Sequence, residues 1–186
     1  MKSTSRILFC LLLSVTSHIA LAQAGLTVGE ALDFWITNTA HEIVSAADAM
    51  PEEKYSFAPT AGQFAGVRTF GQQVKHVAAN NYRMAARMLG QTPTAEQEAE
   101  TGPESVQSKS QIMDYVRGSF AALHQATASI TAENALTPVL RTRVGTVMQN
   151  SRLQFAVDAV AHSYDHYGQM VEYLRMNGIV PPASRR

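Results

Sequence analysis

Apolar residues recur at helical spacing in four long stretches of this chain, and polar segments rich in proline or glycine separate the stretches. Thr27 and Glu30 form a capping-box pair at the start of the first stretch. Thr69 and Gln72 form the same pair at the start of the second, and Gly178 suits the C-terminal cap of the last. The pattern therefore predicts four helices, over about residues 27–49, 69–89, 108–130 and 151–177.

The connections between these helices differ in length and composition. Residues 51–68 form a longer connection than is usual between helices, and such a length is typical of loops that carry function. Residues 91–107 indicate a solvated linker, and in the mixed segment 131–150 Pro138 is predicted to open a short helix. No strand-like alternation runs for more than a few residues. We therefore predict an all-α protein, an antiparallel four-helix bundle with a long connection between helices 1 and 2.

The fourth predicted helix has apolar residues on two opposite sides. One side carries Phe155, Ala159, His162, His166 and Tyr173; the other, which we call the second stripe, carries Leu153, Val157, Val160, Tyr164, Tyr167 and Val171. A bundle helix that faces only its own core is apolar on one side. The second side therefore predicts cover by a neighbouring subunit in a homodimer, or a ligand pocket.

Length and composition indicate the size of the domain, and the first residues indicate where the protein is located. The chain has 186 residues, 46% of them apolar, which suits one domain with a sizeable core. Its start combines Lys2 and Arg6, a short apolar run over residues 7–15, and small residues at Ala22 and Ala24. This arrangement predicts a signal peptide over residues 1–22, with cleavage after Ala24 as the alternative, a domain over residues 25–186, and an exported protein, periplasmic or secreted. An N-terminal membrane anchor is the competing interpretation.

Cysteine and charge exclude several classes of function. Cys10 is the only cysteine, so the mature chain has neither disulfides nor a thiol nucleophile. Basic and acidic residues are balanced at 15 each, and no basic block suggests a nucleic-acid partner. No second apolar stretch has the length of a membrane span, so the mature form is predicted to have no membrane partner.

The candidate chemistry lies in the fourth helix. His162 and His166 are four residues apart, so their Cβ atoms lie about 5–6 Å apart on one helical face and both imidazoles can reach one metal ion. Asp158, Asp165 and Gln169 flank them and offer acceptors for the ring nitrogens that face away from the metal.

A third ligand has to come from another helix. His41, His76 and His124 lie on three different predicted helices, and spacing alone does not choose among them. Three neutral imidazoles with open positions form a zinc site of the catalytic type, and nickel, copper or ferrous iron also accept such ligands. A histidine at the edge of an apolar stripe, as His76 is, is more commonly a boundary residue than a ligand.

Two segments resemble a known family. Residues 162–182, beginning His-Ser-Tyr-Asp-His-Tyr-Gly-Gln-Met, are similar to the closing His-x-x-x-His helix of the DinB-like (damage-inducible) metal-binding four-helix bundles. Residues 50–60 and 69–78, the latter reading Thr-Phe-Gly-Gln-Gln-Val-Lys-His-Val-Ala, resemble that family's loop and the start of its second helix. The resemblance covers almost the whole mature chain.

The resemblance implies a metal site made of His76, His162 and His166, and it matches neither His41 nor His124 to a ligand position. It implies a divalent ion, with zinc as the first candidate and nickel or iron as alternatives. Characterised relatives include metal-dependent transferases and isomerases that use low-molecular-weight thiols such as mycothiol, bacillithiol or glutathione. We therefore expect a metal-dependent transferase or hydrolase acting on an unidentified small molecule, or a non-catalytic bundle that binds a metal or ligand. No catalytic residue is assigned.

Overall fold

The computed structural model of the protein describes residues 25–143 and 146–185. The predicted signal peptide lies outside the described residues. Most of the described chain is helical, as predicted from the sequence. The helices are α1 Val28–Ala49, α2 Phe70–Met88, α3 Ala95–Glu98, α4 Lys109–Ala128 and α5 Arg152–Met176; the strands are β1 Pro138–Arg143 and β2 Thr146–Ser151; single 3₁₀ turns cover Glu52–Lys54 and Pro182–Ser184.

The long helices begin where their capping residues predict. The Thr27 hydroxyl accepts from the Glu30 backbone N–H, and the Glu30 carboxylate accepts from the Thr27 N–H in return. Thr69 and Gln72 make the same exchange at the start of α2. These bonds satisfy backbone donors that the first turn of a helix leaves without partners. The same device opens the remaining helices, at the pairs Thr94/Gln97, Ser108/Gln111 and Ser151/Gln154.

The second helix is the most enclosed element. It packs against both α4 and α5, and α1 packs against the same two helices. Fifteen of the nineteen residues of α2 are buried. Its apolar side joins a core built from large side chains of all four long helices, among them Ile36, Ile43, Phe70, Met84, Leu123, Phe155, Met170 and Leu174. Its polar side is buried as well, and the candidate site lies there.

The prediction of a short helix opening at Pro138 is wrong. Residues 138–151 contain an antiparallel pair of strands, with Pro138 opposite Ser151 and Arg143 opposite Thr146. The β-branched residues Val139 and Val147 favour extended backbone, and proline is tolerated as the first residue of a strand. Proline suits the first position of a helix as well as that of a strand, so Pro138 alone does not distinguish the two.

Two further predictions are refined by the structure. The linker 91–107 contains the four-residue helix α3. In α5 the side that carries Phe155 and His166 is buried, whereas Val157 of the second stripe is 53% exposed. Within the described ranges, no helix is both long enough and apolar enough to cross a bilayer.

Candidate metal centre

Three histidines from two helices converge on one point. His76 projects from α2, and His162 and His166 project from consecutive turns of α5. The Nε2 atom of His162 lies 3.1 Å from that of His76 and 3.2 Å from that of His166. One ring nitrogen from each of the three lies within 4.8 Å of the others. We call these three residues the histidine cluster.

The spacing of these nitrogens fits a shared cation. Two nitrogens bound at about 2.0–2.1 Å to a tetrahedral zinc ion lie about 3.3–3.4 Å apart. The two measured Nε2–Nε2 distances, 3.1 and 3.2 Å, are only slightly shorter. Three imidazole nitrogens are a donor set that a divalent transition metal accepts. The cluster is therefore chemically and geometrically able to hold such an ion.

The surroundings keep the rings uncharged. Burial, together with the neighbouring His166 and His76, lowers the pKa of His162 to about 3. Burial and the neighbouring His76 lower the pKa of His166 to about 4, although Asp165 acts in the opposite direction. Burial also lowers the pKa of His76. All three imidazoles are thus neutral near pH 7, which is the form that binds metals.

A main-chain contact orients His76. Its Nδ1 lies 2.5 Å from the backbone carbonyl oxygen of Glu100, and since a carbonyl can only accept, Nδ1 carries the proton. The lone pair is then on Nε2, which faces the other two histidines. The Glu100 carboxylate lies 3.5 Å from the same Nδ1 and forms an ion pair of 2.7 Å with Arg68. Nothing in the sequence of the linker 91–107 indicates this contact.

A chain of amides lies beside the cluster. Gln73, one helical turn before His76, donates from Nε2 to Oε1 of Gln169. Gln169 in turn donates from Nε2 to Asp165, with 3.1 Å between the atoms. Asp165, predicted as an acceptor for a ring nitrogen, thus accepts from Gln169, and Asp158 is exposed.

The remaining candidates lie apart from the cluster. His41 is exposed on α1, and Nδ1 of His124 pairs with the Asp33 carboxylate at 2.5 Å. Neither histidine is part of the cluster.

A cavity of about 790 Å³ opens beside the amide chain. Its wall combines the end of the long connection, the first turn of α2 and the last turns of α5. The lining residues include Phe64, Val67, Arg68, Gln73, Gln169, Tyr173 and Met176. Since Gln73 and Gln169 each lie one turn from a histidine of the cluster, the cavity lies next to the candidate metal centre.

Comparison with known proteins identifies the fold and the family of this chain. The chain is similar to a DinB-like protein from Bacillus cereus ATCC 10987 with a crystal structure at 2.01 Å resolution; the TM-score is 0.61 at 21% identity, covering 84% of this chain and 96% of the other. That likeness concerns the fold alone. No curated protein matches the chain. The sequence profile of the DinB superfamily matches residues 26–170, more than half of the chain, and the protein therefore belongs to the DinB superfamily.

Proposed function

We propose that this protein is an exported four-helix bundle that binds one divalent metal ion through His76, His162 and His166. The observation that carries the proposal is the approach of the three Nε2 atoms, at 3.1 and 3.2 Å across the cluster. Membership of the DinB superfamily supports it, and so does the neutral state of the rings. Zinc is the first candidate for the ion, with nickel or iron as alternatives.

The activity that best suits such a centre is a metal-dependent transfer or hydrolysis on a small molecule. A bound ion of this kind supplies Lewis acidity and lowers the pKa of a water or thiol that it holds. The chain itself would keep the imidazoles neutral, hold His76 through the Glu100 carbonyl and provide the adjoining cavity for a substrate. With Cys10 as the only cysteine, a thiol nucleophile would come from the substrate side.

A non-catalytic bundle that stores or presents a metal or ligand is the alternative function. It has the same ligands, so metal content does not distinguish a catalytic from a non-catalytic protein. The rate of turnover distinguishes them: metal-loaded and chelator-treated protein would be compared on thiol-transfer and hydrolytic substrates. We expect activity that disappears with the metal and returns when the metal is restored. Equal rates in both preparations would favour the alternative.

Metal content is the first test. The mature chain from Gln23 would be purified without a histidine tag, and its metals measured by elemental mass spectrometry beside His162→Ala and the matched control His41→Ala. We expect about one equivalent of zinc, nickel or iron in the wild type and in the control, and a loss in His162→Ala. A wild type that takes up no metal from any of these ions would refute the proposal.

Export and dimerisation complete the proposal. Val157 of the second stripe on α5 is 53% exposed, and Phe34 and Trp35 on the neighbouring α1 are 60% and 51% exposed, which supports cover by a second copy. Light scattering after size exclusion would give twice the monomer mass. Val157→Asp would return the mass to that of a monomer.

N-terminal sequencing of protein from the extracytoplasmic fraction tests export. The sequence would begin at Gln23 or Gly25 if the signal peptide is removed.

A further inference from the structure

The cavity beside the histidine cluster has one markedly apolar wall. Phe64 and Val67 from the long connection and Met176 from α5 line it, and they are 41%, 37% and 50% exposed. The ring of Tyr173 also lines the cavity. Large apolar side chains that surround an open space are typical of a ligand site. This wall suits the hydrocarbon part of a small molecule.

Arg68 brings a positive charge to the same cavity. It is the only lysine or arginine among the lining residues, and its backbone carbonyl accepts a hydrogen bond from the Tyr173 hydroxyl at 3.0 Å. One guanidinium nitrogen is paired with Glu100 at 2.7 Å, but the Glu100 side chain is 70% exposed. An ion pair with so exposed a carboxylate contributes little free energy, so a ligand carboxylate can replace it.

Glu172 is the acidic residue of the cavity wall, and it is more exposed than Arg68. Its side chain is 65% exposed and pairs with Arg175 at 2.9 Å, one turn along α5, whereas the Arg68 side chain is 32% exposed. Water and salt screen a partly buried charge less, so Arg68 is the group that selects the charge of the ligand. A guanidinium offers two parallel N–H donors to one carboxylate, which combines charge with geometric selection.

The cavity and the histidine cluster are close enough to act on one molecule. Gln73 and Gln169 belong to the cavity wall, and each lies one helical turn from a histidine of the cluster. The Glu100 carboxylate contacts both groups, at 2.7 Å from the Arg68 guanidinium and 3.5 Å from Nδ1 of His76, so the guanidinium lies close to the cluster. An acid held by Arg68 thus has its polar end toward the cluster.

We propose that this cavity binds an amphipathic carboxylate, with the acid on Arg68 and the hydrocarbon part against Phe64, Val67 and Met176. Binding of the carboxylate does not require a bound metal ion. The role of the cavity as the substrate site of the metal centre, by contrast, rests on the proposed function. The ligand class is a monocarboxylate with an apolar body, such as a medium-chain acid or an arylalkanoic acid.

Calorimetry with two matched probes tests the binding. Octanoate and octanamide have the same length and nearly the same shape, and they differ in charge. We expect octanoate to bind wild-type protein at least about tenfold more tightly, because a charge-assisted hydrogen bond is worth about that factor. Equal affinities for acid and amide in the wild type would overturn the proposal without any variant.

Two pairs of variants assign the contacts. Arg68→Gln should weaken octanoate about tenfold and leave octanamide unchanged, whereas Arg117→Gln, an exposed arginine on α4, should change neither. Val67→Ser should weaken both probes by a similar factor, and the exposed control Val147→Ser, on β2 and outside the cavity wall, should weaken neither. Equal octanoate affinities in Arg68→Gln and Arg117→Gln would contradict the proposed role of Arg68.

A last comparison separates this proposal from metal binding. The titrations would be repeated on chelator-treated protein, where octanoate binding reports on the cavity alone. Cobalt(II)-loaded protein should broaden the proton signals at the carboxyl end of octanoate more than those of its methyl end. Binding without such broadening would keep the cavity and refute its role as a substrate site. Absence of metal uptake would refute the proposed function but not the carboxylate site.

Discussion

Two groups of buried polar side chains occupy neighbouring positions on α2 and α5, one of them also reaching α4, and their hydrogen bonding differs. Asn81 donates to the Ser119 hydroxyl at 3.2 Å and accepts from Ser163 at 3.4 Å, while Ser119 donates to the Val116 carbonyl at 2.7 Å. We call this set the serine–asparagine network. The histidine cluster begins one residue earlier on α5, at His162, whose Nδ1 is buried without a hydrogen-bond partner among the described residues.

The difference indicates which of the two is structural and which is a site. Buried polar groups are nearly always hydrogen-bonded, and the network meets this rule with protein partners alone. In the cluster, two Nε2 atoms face that of His162 at 3.1 and 3.2 Å, and a neutral imidazole nitrogen cannot serve both as a single donor. The cluster thus leaves hydrogen-bonding capacity that no described residue satisfies, which supports the proposed bound cation.

The largest effect on metal affinity should come from replacing His162 of the cluster, compared with replacing its neighbour Ser163 of the network. His162→Ala should lower metal affinity by more than about 100-fold, since even residues that only support a ligand contribute 10–100-fold. Ser163→Ala, one residue on, should keep the affinity within about threefold. Competition with a chromophoric chelator measures both variants. A larger loss in Ser163→Ala than in His162→Ala would reverse the assignment.

The converse change should destabilise the fold and spare the metal. Asn81→Leu removes the partner of two buried hydroxyl groups, so we expect the free energy of unfolding to fall by about 1–3 kcal/mol. Urea denaturation followed by circular dichroism measures the change. Metal stoichiometry should stay that of the wild type, and a loss of metal at unchanged stability would contradict the comparison.

Acid should act on the cluster and not on the network. Folded pKa values of about 3 for His162 and about 4 for His166 lie below the value of about 6.5 in an unfolded chain. Between these limits the unfolded state binds more protons, so the stability of metal-free protein should be complete above about pH 6.5 and decline as the pH falls toward 4.

Thermal melts of chelator-treated protein at a series of pH values test this dependence. A variant with both His162→Ala and His166→Ala should show a shallower decline, whereas Asn81→Leu should lower the melting temperature by a similar amount at every pH. Equal slopes in the wild type and the double variant would show that these histidines do not cause the acid sensitivity.

The smallest effect should follow a change at Glu100. Glu100→Gln removes a mostly exposed carboxylate but keeps the backbone carbonyl that accepts from His76. We therefore expect metal affinity to change by less than about fivefold, the range of an exposed ion pair. The chelator competition used for His162 measures it, with Glu104→Gln as the matched control. A loss comparable to that of His162→Ala would mean that the carboxylate itself supports the site.

The sequence predicts the helices well because their signals are local. Capping pairs such as Thr27 with Glu30 depend on residues three apart, and the core stripes depend on helical period. The sequence does not predict the pairing of Pro138–Arg143 with Thr146–Ser151, because a strand depends on its partner segment. Its available signal was the β-branched residues on both sides of Gly145.

The site was predictable only in part, for a similar reason. His162 and His166 share one helical face, which sequence spacing reveals. His76 lies on another helix, and the family resemblance rather than spacing selected it. Arg68 and Glu100 approach the cluster through connections between helices, whose path periodicity does not describe.

The bond that orients His76 ends on a main-chain carbonyl, which every amino acid supplies. A mutational scan should therefore find position 100 tolerant and the path of the chain around it intolerant. Gly102 has a φ of +65°, and a Cβ there would lie 3.2 Å from the Tyr115 ring and 3.4 Å from the Lys75 carbonyl. The orientation of this imidazole therefore depends on a glycine two residues away from the carbonyl group that accepts its hydrogen bond.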